Sequence, residues 1–201
     1  SYTLQMKNVM KNKESELIPN IRSNYTVTDK ADGERNMCYI SEKGKIYLID
    51  SNMRIKFTGS VTKEKKIKNT LIDGELIMYN KEKVQINLFA SFDIYYVNGK
   101  DIRKLPFVSD KMIPSKEGEK KKKVAQRHSV LKDVIDRLKP ECVTKGSENI
   151  MTFTMKVFEV STKERTIFDC CKSLLERINH ESYTYETDGL IFTPASDGLP
   201  S

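Results

Sequence analysis

Residues 25–50 read YTVTDKADGERNMCYISEKGKIYLID, and this stretch decides the architecture. β-Branched and aromatic residues gather in short runs, Tyr25–Thr28, Asn36–Ile40 and Lys45–Asp50, each too short for a helix. Glu42-Lys43-Gly44 between the last two predicts a hairpin turn. Working outward, Arg54–Phe57 alternates weakly, and Thr70–Asp73 and Glu75–Tyr79 are apolar around Asp73-Gly74, which reads as a turn between two strands. Val84–Tyr96 is a long strand-like stretch, followed by Asn98-Gly99. The first 24 residues are polar, with one short helix expected around Leu4 to Met10.

Beyond the middle of the chain the period changes. Val130, Leu131, Val134, Ile135 and Leu138 keep helical spacing and Pro140 stops them. Met151–Val160 predicts one strand, Ile167, Cys170, Cys171, Leu174, Leu175 and Ile178 a second amphipathic helix, and Gly189–Phe192 a last strand. The expected fold class is therefore α+β, with antiparallel β-sheets flanked by helices.

Composition narrows the field. The chain has 201 residues, 38% hydrophobic and 31% charged, a globular mix of about one domain's length. No apolar run approaches a membrane span, and SYTLQMKNVM lacks the apolar centre of a signal peptide. The net charge is +7, but residues 109–127 hold seven Lys and Arg against three Asp and Glu. Basicity is thus largely local, and that segment reads as a lysine-rich mobile surface loop. Lys120–Lys123 within it is a solvated run or a contact for RNA phosphates. Cys38, Cys142, Cys170 and Cys171 make no C-x-x-C, and His128 and His180 lie far from any cysteine pair. Neither a zinc site nor a disulfide framework fits, so reduced thiols in an intracellular compartment are expected.

Chemistry enters at Lys30-Ala31-Asp32-Gly33-Glu34-Arg35. A lysine just past a strand, Asp-Gly to turn the chain, then Arg would set an amine beside a second cation. Desolvation and a like charge both favour the free amine, which is the nucleophile. The bland alternative is a hairpin turn with solvated Lys and Arg. Three further segments follow: Asp73-Gly74-Glu75, Phe92-Asp93, and Asp188-Gly189 opening Leu190-Ile191-Phe192. Singly, each reads as readily as a turn or a core aromatic.

In this order they resemble the motifs of the covalent nucleotidyltransferases, the mRNA capping enzymes and the ATP-dependent DNA and RNA ligases. KADGER is similar to the first motif, KIYLIDSNMRIKF (45–57) to the third, DGEL (73–76) and SFDIYYVNG (91–99) to the next two, and DGLIF (188–192) to the fourth. TLIDGELI, FDIYYVNG and DGLIFTP resemble the capping enzymes more than the ligases, and among them those of large cytoplasmic DNA viruses.

The resemblance implies a role for each residue. Lys30 would attack the α-phosphate of GTP and hold GMP as a phosphoramidate, then pass it to the 5′-diphosphate end of RNA. Arg35 would bind ribose or phosphate. Glu75 would bind ribose hydroxyls or a metal, and Asp188 would hold Mg²⁺ or Mn²⁺. Phe92 would stack on the purine. Lys156 would select guanine through O6; a solvated strand residue is its other reading.

The implied partners are GTP, 5′-diphosphate RNA, and triphosphatase and methyltransferase domains in the same polypeptide, with no membrane. The implied location is the cytoplasm if the protein is viral. Where many members carry Asp-Arg in the third motif, this chain reads Asp50-Ser51, with the nearest arginine at Arg54. A fifth, lysine-containing motif and a C-terminal OB-fold are not found within residues 1–201, so the expectation is a partial nucleotidyltransferase domain cut from a larger enzyme. A ligase adenylation domain and a non-catalytic RNA- or partner-binding module are the alternatives.

Overall fold

The computed structural model describes residues 3–11, 18–109, 112–113, 122–143, 150–180, 183–196 and 198. The strands run in chain order as β1 (Tyr25–Ala31), β2 (Glu34–Ile40), β3 (Lys45–Asp50), β4 (Ile55–Val61), β5 (Thr70–Tyr79) and β6 (Gln85–Val97). They continue as β7 (Lys100–Asp101), β8 (Met112–Ile113), β9 (Lys122–Lys123), β10 (Glu141–Cys142), β11 (Thr152–Met155), β12 (Glu159–Val160) and β13 (Thr187–Pro194). The α-helices among the described residues are α1 (Arg127–Leu138) and α2 (Ile167–Ile178), and short 3₁₀ turns lie at Met6–Asn8 and Lys65–Ile67. The chain divides into a larger unit, residues 31–156 with 184–186 and 196–201, and a smaller one, residues 1–30, 157–183 and 187–195. No described helix is long and apolar enough to cross a membrane.

The larger unit is built on one sheet of order β10-β4-β3-β2-β5-β6-β11, with β7 added to β6. Strand alternation sends Cys38, Ile40, Ile46, Leu48, Ile72, Phe89 and Ile94 to one face, where they pack with Leu131, Val134 and Leu138 of α1. Each such side chain contributes roughly 2 kcal/mol on burial. The helix ends as its sequence demands: Lys139, which precedes Pro140, adopts the left-handed conformation at φ 34°. Asn98 and Gly99, at φ 49° and 76°, turn β6 back into β7, the backbone sign a two-residue hairpin turn needs.

The smaller unit has a three-stranded sheet, β12-β1-β13. Ile21 and Val27 pack there with Ile167, Cys170, Leu174 and Ile178 of α2. Thr166 and Asp169 cap the start of α2 reciprocally. Glu159 accepts from Arg165 at 2.6 Å and Arg177 at 3.3 Å, fixing β12 to the helix.

Five expectations need correction or narrowing. Asp73-Gly74 is not a turn: β5 runs through it, with a register irregularity against β6 at that point. A β-carbon on Gly74 would lie 2.4 Å from Phe89 Cζ and 2.9 Å from the Ala90 carbonyl oxygen. The glycine is there to admit a core ring. Lys30 lies within β1, not in the turn after it. Met151–Val160 is two strands: β11 pairs with β6 and β12 with β1, in different sheets. The β11–β6 pair is parallel, so the sheet is mixed rather than wholly antiparallel. Of the lysine-rich loop 109–127, residues 110–111 and 114–121 lie outside the described residues. Its described parts include the antiparallel pair β8–β9 and Arg127, which opens α1 and is 1% exposed.

Candidate active site

In the smaller unit, β1 and β13 are neighbours, and this brings together residues 158 positions apart. Lys30 Nζ donates to Asp188 Oδ1 at 2.8 Å and Oδ2 at 2.7 Å. Both side chains are about half exposed, so a ligand can reach them, and water screens the pair. The charge environment differs from expectation. Lys30 meets an anion, while the second cation of KADGER, Arg35, has a carboxylate of its own.

The larger unit holds the other motif residues on three adjacent strands. Arg35 of β2 stands opposite Glu75 of β5, and Asp73 of β5 opposite Asp93 of β6. Arg35 Nε donates to Asp73 Oδ1 at 3.1 Å and its Nη2 to Oδ2 at 2.7 Å. Tyr95 Oη donates a short hydrogen bond to the same carboxylate. The Asp73 side chain is 2% exposed against 65% for Arg35, so a buried anchor aims an exposed fork. The bond to Asp73 and its charge hold the Arg35 guanidinium still further above its ordinary range. Burial, then the bond to Asp73, pushes the Tyr95 phenol up. Tyr95 remains a neutral donor throughout the working pH range.

Glu75 accepts a short bond from Lys156 Nζ. The Lys156 side chain is fully buried, and its ammonium lies 5.6 Å from the centroid of the Phe92 ring, a cation–π distance. Lys156 is therefore not a solvated strand residue: it follows β11, its N–H donates to the Ser91 carbonyl at 2.8 Å, and it reaches two motif residues. Behind them, Arg127 Nε donates to Asp93 Oδ1 at 2.8 Å and Nη1 to the Arg103 carbonyl at 3.3 Å. Burial raises the Asp93 carboxyl, and Arg127 opposes the shift. The sequence reading passed over Asp73, Tyr95 and Arg127. The first two sit inside quoted motifs, but Arg127 lies at the end of a basic run and carried no signal. Arg54, at the departure in the third motif, donates to Asp50 at 2.6 Å in the β3–β4 turn and is largely exposed.

The donor set limits how a metal could be held. Among the described residues no three His, Cys, Asp or Glu form a cluster. The carboxylate of Glu75 is engaged by a buried lysine, whereas Asp188 is accessible. One accessible carboxylate suits an ion that arrives on substrate phosphates, the usual habit of Mg²⁺, and does not make an all-protein cage.

The chain is 37% identical over 100 residues, half its length, to a probable mRNA-capping enzyme of Acanthamoeba polyphaga mimivirus, and spans 8% of that protein. The family model for the catalytic domain of mRNA capping enzymes matches residues 10–199, which include Lys30, Arg35, Glu75, Phe92, Lys156 and Asp188. The chain belongs to the mRNA capping enzyme catalytic-domain family.

Proposed function

We propose that this chain is the guanylyl-transferring domain of an mRNA capping enzyme, with Lys30 as its covalent nucleophile. The observation that carries this reading is the pairing of Lys30 with Asp188, which joins the first and fourth motifs at 2.7 Å. Lys30 Nζ attacks the α-phosphorus of GTP, a nitrogen–phosphorus bond forms, and the bond to the β-phosphate oxygen breaks as pyrophosphate takes the electron pair. From ammonium to phosphoramidate the nitrogen gives up two protons. The Asp188 carboxylate is the acceptor in reach for the first, and the second leaves with pyrophosphate. The terminal phosphate oxygen of a 5′-diphosphate RNA then displaces Lys30 and takes GMP. Asp188 would hold Mg²⁺ or Mn²⁺ arriving on the triphosphate through the carboxylate oxygen that does not take the proton, and the ion would supply charge neutralisation at the phosphates.

The remaining motif residues are assigned to recognition. Phe92 offers a ring to the purine. Lys156, buried beside that ring against Glu75, would donate to guanine O6 once the entering base uncovers it, where adenine would present another donor. Arg35, aimed by Asp73, uses its remaining N–H groups on ribose or phosphate. Glu75 accepts from a ribose hydroxyl with the oxygen Lys156 leaves available. Triphosphatase and methyltransferase domains in the same polypeptide, and a cytoplasmic site of action, belong to the same proposal.

Incubating the full chain with α-labelled GTP or ATP and a divalent cation tests it. Acid-labile, alkali-stable label from GTP, absent in Lys30→Ala, is expected. Label from ATP alone would identify a ligase-type domain, and label that survives Lys30→Ala would remove the nucleophile.

A further inference from the structure

The face of the large sheet that α1 does not cover is shaped to hold something flat. Residues opposed across antiparallel strands share a face, and Tyr39 of β2 is opposed to Tyr47 of β3, which is opposed to Phe57 of β4. The three rings make a row across three strands. Those of Tyr47 and Phe57 are 5.4 Å apart at 49°, and the Tyr39 phenol is fixed by donating to Asn69 Oδ1 at 3.3 Å. Beside the row lies Ile55, 69% exposed, and Phe57 itself is 38% exposed. Contiguous apolar exposure of this kind marks a binding surface.

Two observations choose the occupant. The Lys45 ammonium lies 5.7 Å from the centroid of the Phe57 ring, so the row carries a cation over a π-face at one end. At the other end it runs towards Arg35, since residues 35, 37 and 39 of β2 point to the same side. From Arg35 to Tyr39 is about 13 Å at about 3.3 Å per residue, room for on the order of four stacked nucleotides at about 3.4 Å each. The acids on this face, Asp73, Glu75 and Asp93, are already answered by Arg35, Lys156 and Arg127 and offer an approaching phosphate chain little repulsion. Rings for bases and a cation for phosphate are the requirements of a single nucleic-acid strand.

We propose that Tyr39, Tyr47 and Phe57 form a stacking platform for the leading nucleotides of the acceptor RNA, whose 5′ end is presented at Arg35. The inference rests on reading the site as one that acts on RNA, and its test reads RNA binding apart from the reaction with GTP. A fluorescent single-stranded 5′-diphosphate RNA of ten nucleotides is titrated with the full chain and with Tyr47→Leu, Phe57→Leu and the double variant, which keep apolar bulk and remove the rings. Affinity is expected to fall about tenfold per ring, with an unchanged melting curve. Photocrosslinking with 5-bromouridine RNA is expected to mark peptides within residues 36–61. RNA binding by the double variant equal to that of the parent, or crosslinks confined elsewhere, overturns the platform. So does a change in self-association of the variant without a change in RNA binding, which assigns the face to protein. If the parent takes no label from GTP yet loses RNA affinity with the rings, the platform stands and the lysyl-GMP reading falls.

Discussion

Arg35 and Glu75 are direct cross-strand partners on β2 and β5, yet each is held by another residue, Arg35 by Asp73 and Glu75 by Lys156. The opposition of charge across the strands is thus divided into two separately anchored groups, one presenting donors and the other an acceptor. Breaking either anchor is expected to have consequences of a different kind.

Lys156→Met leaves the Glu75 carboxylate without its buried counter-charge. A loss of about 3–5 kcal/mol is expected in urea unfolding, and Lys156→Met with Glu75→Leu should recover much of it. If the single variant is as stable as the parent, the buried pair does not hold the fold.

Asp73→Asn removes the charge that aims Arg35 and retains the size of the side chain. Self-labelling by GTP is expected to need a higher nucleotide concentration, with KM raised about tenfold, as losing one charge-assisted hydrogen bond implies. Tyr95→Phe, which removes a neutral donor to the same carboxylate, should change KM less than Asp73→Asn does. A larger effect for Tyr95→Phe would make the phenol, rather than the carboxylate, the anchor.

Arg127→Met strips Asp93 of its partner within the core. About 3–5 kcal/mol of stability should be lost, and Arg127→Lys should recover only part, because an ammonium cannot make the same fork. Chemical denaturation of the three proteins measures this directly.

Gly74→Ala places a methyl group against Phe89. The ring must move in a filled core, at an expected cost of about 1–3 kcal/mol, and Phe89→Leu in the same chain should relieve it. The backbone at Gly74 does not adopt a positive φ, so the effect is one of space rather than of a left-handed conformation.

His128 is expected to set an acid-side slope in stability. Burial, then the nearby Lys132, holds its imidazole below the ordinary value, and its ring packs edge-on to Phe107 at 5.8 Å. A folded value below the unfolded one means that the unfolded chain takes up protons first. The stability from neutral His128 is complete above about pH 6.5 and is lost as the pH falls through the folded value. With two histidines in the chain, proton NMR can follow His128 by itself. His128→Phe should flatten the slope.

Much of this architecture is legible in sequence because side-chain period speaks plainly. The spacing of Val130 to Leu138 and the alternation of Asn36–Ile40 place α1 and β2 within a few residues. Asp73-Gly74 misleads because its turn signal is local, whereas the reason for the glycine is Phe89, a residue on the next strand. Lys156 is ambiguous for the same reason: its burial depends on Glu75 and Phe92, neither adjacent in the chain. Arg127 is hidden among solvated lysines, and only the position of Asp93 distinguishes it from them. Motif order brings out Lys30 and Asp188 together, but that the lysine meets a carboxylate appears only once β1 and β13 lie side by side.

The parallel seam between β11 and β6 dictates an order of assembly on the ribosome. Glu75 leaves the exit tunnel 81 residues ahead of Lys156, and the strand preceding Lys156 is the last to join the large sheet. During elongation, then, the carboxylate stays in water until its counter-ion emerges, and a nascent chain arrested before that lysine has most of its strands but no buried partner for Glu75.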